Sequence, residues 1–134
     1  MTIMKSCCID YNCIQCCLET AMPISYQDIE RIKKLGFKTD FFVIESDGWL
    51  QLKNQKGRCV FHNGITCSIY ENRPKGCKLY PVIYDKDKKR AVFDKDCPNT
   101  KKFQMKKSII RELNTLVSKL EYERAERKKR DFLL

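Results

Sequence analysis

At 134 residues, with 43% hydrophobic and 10% aromatic side chains, the chain has the size and composition of one folded domain, which excludes an intrinsically disordered segment. Its formal charge is +10, and no run of about 18 apolar residues is present to cross a bilayer as a helix. Nine cysteines accompany a single histidine, His62, so a metal site here draws on thiolates rather than imidazoles.

The first predicted element is a short helix over residues 11–22, ended by Pro23, which sets Cys13, Cys16 and Cys17 on one side because positions three and four apart share a helical face. A second helix is signalled by Ser25 as N-cap, Asp28 three residues on, apolar Ile29, Ile32 and Leu35, and Gly36 as terminator. A β-rich middle follows, with strands predicted at Phe41 to Ile44, Trp49 to Leu52 and Cys59 to Phe61, separated by turns at Ser46-Asp47-Gly48 and near Asn54 to Gly57. The turn His62-Asn63-Gly64 leads into Ile65 to Tyr70, which puts Cys59 and Cys67 on the two sides of one tight bend. After Pro81, Val82 to Tyr84 and Ala91 to Phe93 flank a charged loop and read as a last hairpin.

From about Thr100 to the end, Phe103, Ile110, Leu113, Val117 and Leu120 recur at helical spacing. The expected organisation is α+β: a cysteine-rich unit over 1–100 and an amphipathic helix over 101–134 packed on the same domain. Residues 101–134 carry eleven Lys/Arg against five Asp/Glu, a surplus of six, ending in Arg127-Lys128-Lys129-Arg130. Such a run can meet a polyanion or a protein partner. Without interleaved aromatic residues to stack on bases, its simpler reading is a solvated helix end, and the segment beyond Tyr122 is expected to project or fray.

Cysteine placement carries the chemistry. Cys7-Cys8 and Cys13-Ile14-Gln15-Cys16-Cys17 form an amino-terminal knot, and Cys59, Cys67, Cys77 and Cys97 follow singly, each beside a glycine, proline or polar bend. Glycine lets backbone approach closely, and amides aimed at sulfur offset thiolate charge. A disulfide framework would need an oxidising compartment. The opening Met1-Thr-Ile-Met-Lys-Ser-Cys-Cys shows no charged-then-apolar leader, so a cytoplasmic protein with reduced thiols is expected. Cysteine can also serve as a small buried hydrophobe, which absorbs one or two of the nine but not seven so arranged.

Cys67-Ser-Ile-Tyr70-Glu-Asn-Arg73-Pro74-Lys-Gly-Cys77-Lys-Leu-Tyr80-Pro81, with the knot before it and Cys97-Pro98 after it, resembles the YkgJ-like cysteine-cluster family, marked by C-x-x-C-x-x-C-C and by zinc or iron chelation. The resemblance runs from about residue 8 to residue 98 and leaves the basic helix out. In the family's register the first cysteine falls on Asp10. Three arrangements follow: seven cysteine ligands, Asp10 as an oxygen ligand, or Cys7 or Cys8 as substitute. Cys8 is preferred among these. The implied ligands are therefore Cys8, Cys13, Cys16, Cys17, Cys59, Cys67, Cys77 and Cys97.

Wide spacing and an all-thiolate set favour an iron–sulfur cluster over Zn2+, since separate segments can each bring one sulfur to a multi-iron centre. Eight ligands would also suffice for two metal sites. The function expected is thus metal binding, structural or electron-transferring. One alternative is a domain of a protein-modifying enzyme, because flagellin lysine methylases carry a related cysteine-rich region, although no Gly-rich nucleotide loop or Ser/His/Asp constellation is present. A zinc-stabilised nucleic-acid module is another, argued from charge alone. Arg73 is expected to hold the turn through its guanidinium, with Pro74 ending a short helix begun at Cys67, and Tyr70 and Tyr80 to be core aromatics.

Overall fold

The computed structural model describes residues 17–18, 20–98 and 100–133, the last two of these in backbone only. Its architecture is α+β, with short helices, small antiparallel hairpins and one long carboxyl-terminal helix.

Helix α1 (Tyr26–Lys33) starts where the sequence predicts. Ser25 Oγ accepts the Asp28 amide at 3.1 Å while Asp28 Oδ2 accepts the Ser25 amide at 3.2 Å, a reciprocal capping box. Ile29 and Ile32 turn into the core, and Gly36 takes the positive φ (103°) of the following bend. The strand expected at Phe41 to Ile44 begins two residues late. Thr39–Phe42 forms one helical turn, α2, which drops Phe42 wholly into the core against the Phe61 ring (centroids 5.5 Å apart), and strand β1 (Val43–Ser46) follows. So short an apolar run does not distinguish a turn of helix from strand; packing onto Phe61 decides it.

β1 pairs with β2 (Trp49–Leu52) around Asp47-Gly48, both at positive φ (49° and 81°), as a two-residue hairpin turn requires. Lys56-Gly57 repeats that geometry between β3 (Asn54–Gln55) and β4 (Arg58–Cys59). The strand predicted to reach Phe61 stops at Cys59, and no strand occupies Ile65 to Tyr70. Instead His62 and Cys67 form an isolated bridge, a 3-10 turn spans Tyr70–Asn72, and helix α3 covers Lys75–Leu79. The short helix thus begins at Tyr70, not Cys67.

The helix expected over 11–22 lies outside the described residues up to position 16. Its described remainder leads into the hairpins as a paired entry segment: Leu18 bridges Arg58, Pro23 bridges Gln51, and Leu52 donates its amide to Met22 O at 3.1 Å. Asn54 brackets Thr20, accepting its amide at 2.9 Å and donating to its carbonyl at 2.8 Å. Backbone groups that a helix would satisfy internally are satisfied here by the neighbouring hairpins.

The last hairpin, β5 (Val82–Asp85) with β6 (Arg90–Phe93), matches expectation. Helix α4 (Lys107–Leu133) starts later than Thr100, where a separate 3-10 turn, Thr100–Lys102, stands. Its buried stripe is Ile109, Leu113, Leu116 and Leu120, one position off the predicted Ile110 and Val117 in two of its members. The stripe continues through Glu123 and Arg127, both buried.

Two cores result. One joins Ile24, Ile29, Ile32, Phe42, Leu52, Cys59, Phe61 and Ile69, with Cys17, Cys67 and Cys77 packed against it. The other joins Leu79 and Val82 to the α4 stripe.

Candidate metal centre

The thiol-rich core is built by three separate segments. Cys17 comes from the entry segment just before Leu18, Cys59 and Cys67 from the bend held by His62, and Cys77 from α3. All four line one cavity of about 40 Å3, whose remaining walls include Met22, Phe61, Ile69, Tyr70 and Pro74. The bend is fixed by backbone: His62 donates its amide to Cys59 O at 2.9 Å, and Ser68 donates to Phe61 O at 2.8 Å. His62 faces its own loop, its Nδ1 accepting the Gly64 amide at 3.0 Å, so that ring nitrogen is unprotonated. Burial, then the nearby Arg58 cation, lowers the His62 pKa below its usual 6.5, consistent with a neutral ring.

Cys77 is positioned by a network that begins at α1. The buried Asp28 carboxylate accepts three hydrogen bonds: from Ser25 N, from Arg31 Nη2 at 2.9 Å and from Lys75 N at 3.1 Å. The last of these satisfies an amide of the first turn of α3 that has no helical partner. Arg31 Nη2 also donates to Arg73 O at 2.8 Å. Arg73 is buried, donates from Nε to Tyr70 O at 2.9 Å, reaches Cys77 O at 3.5 Å, and lies 4.0 Å from the Tyr70 ring centre. Its role is the turn-holding one that the sequence suggests, and Tyr70 stacks beneath it.

Burial, then the cations of Arg31, Arg73 and Lys75, lowers the Lys78 pKa, with Asp28 opposing them. Burial foremost pushes the Cys59 thiol up to about 11, with the Phe61 backbone bond opposing it and the neighbouring Cys67 adding to it. Cys59 is therefore a neutral thiol at physiological pH, and a metal taking its sulfur must displace a proton.

Among the described residues, no three His, Cys, Asp or Glu side chains stand close enough together to hold one ion. The four thiols share a cavity without forming a closed ligand set. Cys8, Cys13 and Cys16, with Cys7 and Asp10, lie outside the described residues. Cys97 is buried but does not line the cavity. Its amide donates to Asp94 O, and Asp94 Oδ2 accepts the hydroxyl of Tyr80, which does line it. Sequence reasoning had no signal for the Asp28 link, since a capping box explains that residue fully by itself.

Residues 7–98 match a family described as "CxxCxxCC: Putative zinc- or iron-chelating domain", a span covering well over half of the chain. The chain belongs to this family. The match ends before α4, as the cysteine pattern does. No curated protein and no solved structure matches the chain significantly. The donor chemistry agrees with the family description: the convergent groups are soft sulfur in an apolar, cation-flanked setting. Among the described residues, no helix is long and apolar enough to cross a membrane.

Proposed function

We propose that this protein binds a soft metal centre through Cys17, Cys59, Cys67 and Cys77, completed by Cys8, Cys13 and Cys16, with Cys97 as a further ligand from the Asp94 turn. The observation that carries this reading is the convergence of four thiols from three segments on one cavity. Residues 1–100 act as the metal-binding unit and 101–134 as the helix packed on it. Such a centre would tie the entry segment, the His62 bend and α3 together, and would supply electron-transfer capacity where it contains iron.

An all-thiolate donor set supports an iron–sulfur cluster. A single zinc ion is the other soft-metal centre that an all-thiolate donor set can hold. Iron, zinc and acid-labile sulfide content of anaerobically purified protein separates the two. Iron with sulfide supports the cluster, zinc without sulfide supports the single ion, and folded, reduced, metal-free protein removes both.

A polyanion partner at the carboxyl-terminal helix has weaker support, because Arg124, Arg127 and Lys128 already engage Asp47 and Gly48. Cytoplasmic residence is the compartment in which these thiols would stay reduced.

A further inference from the structure

A second, larger concavity of about 580 Å3 opens between the entry segment, β2, β5 and α4, within the range of small-molecule sites. Its lining is largely apolar and includes Leu116, Leu120 and Val82 from the second core, and Trp49. Thr20, Met22 and Tyr80 line both this groove and the thiol cavity, so the two spaces share a wall.

The charged groups on the groove are Asp94, Asp96, Glu121 and Lys86. In a chain whose formal charge is +10, three carboxylates against one ammonium is a local reversal of sign. The ammonium is committed: Lys86 Nζ sits 4.5 Å from the centre of the Trp49 ring. Asp94 is partly committed, accepting the Tyr80 hydroxyl at 2.7 Å and the Asp96 amide at 3.0 Å. Among the described residues, no hydrogen bond or ion pair engages the carboxylates of Asp96 and Glu121.

We propose that this groove is a binding site for an organic cation, an amine with an apolar body, whose hydrocarbon covers Val82, Leu116 and Leu120 while its ammonium meets Asp96 and Glu121. The occupant follows from charge complementarity: an anion of the same shape would meet two unneutralised carboxylates at the rim. Its place beside the thiol cavity makes the ligand a neighbour of the metal centre, but the groove needs no metal to form its walls.

Trp49 is the sole tryptophan and lines the groove, so its emission reports occupancy directly. The test titrates the full-length protein, as purified, with 4-phenylbutylammonium and with 4-phenylbutyrate, following Trp49 emission and calorimetric heat. The amine is expected to bind about tenfold tighter than the carboxylate, with a preference that shrinks as salt is raised. In the double variant Asp96→Asn, Glu121→Gln, which removes only surface charge, that preference should fall to about threefold or less. Equal affinity, a preference for the carboxylate, no binding of either probe, or an amine preference untouched by the double variant would each overturn the proposal.

Discussion

The two cores are of similar size and unlike chemistry. The core under α4 is aliphatic, closed by Ile109, Leu113, Leu116 and Leu120, and needs nothing beyond the chain. The other places four cysteines around a small cavity, so part of its lining is sulfur rather than hydrocarbon. One half holds the hairpins on a helix, and the other, under the function proposed above, would be held together by the metal its thiols bind.

Single substitutions should therefore divide sharply. Cys67→Ser or Cys77→Ser should remove most bound metal and strongly lower thermal stability, because a hydroxyl is a poor soft-metal ligand and leaves the remaining thiolates unsatisfied. Ile109→Ala, at a fully buried position, should cost about 2–5 kcal/mol in denaturant unfolding yet leave metal per folded chain unchanged. Equal metal loss in both variants would erase the distinction between the cores.

Helix α4 contributes a second, smaller contrast, between its apolar stripe and its polar end. Arg127 donates two hydrogen bonds to Gly48 O, at 2.9 and 2.7 Å, and Glu123 accepts the Tyr26 amide at 3.0 Å. The segment beyond Tyr122 thus docks, contrary to the fraying expected of so charged a tail. Arg127→Ala should cost about 1.5–3 kcal/mol, the range for hydrogen bonds from a charged donor, measured by urea unfolding. Asp47→Asn, losing its contacts to Arg124 and Lys128 at an exposed turn, should have a smaller effect that vanishes in high salt.

Smallest is the effect of pH through His62. Its pKa is lowered in the fold, so the neutral ring contributes stability that is present above the unfolded value of about 6.5 and is lost as pH falls through its lower folded value. Urea midpoints should fall between pH 7.5 and pH 5 in the parent and show less dependence in His62→Gln. An identical pH dependence in the two would show that protonation of His62, and with it the loss of the Gly64 bond, has no part in holding the bend.

What the sequence made legible was local. The α1 cap, the Asp47-Gly48 turn and the last hairpin are each specified by residues within a few positions of one another, and each stands where expected. The Thr39–Phe42 turn and the pairing of Leu18, Thr20 and Pro23 with the hairpins were not legible, because Phe61, Asn54 and Gln51 decide them from far along the chain. Cys59, Cys67 and Cys77 could be chosen by their glycine-flanked spacing. That they would meet Cys17 at one cavity depends on Asp28 reaching Lys75, which no spacing reveals. Arg127 had a signal that charge obscured: with Leu116, Leu120 and Glu123 it keeps the four-three-four spacing of the buried stripe.

The most direct test of the central claim is the metal content of the full-length protein purified without oxygen, taken together with its sulfide content and absorption spectrum. The account predicts close to stoichiometric bound metal that is lost in Cys67→Ser and Cys77→Ser but kept in Ile109→Ala. Fully reduced protein that is folded, carries no metal and takes up neither iron nor zinc would contradict it.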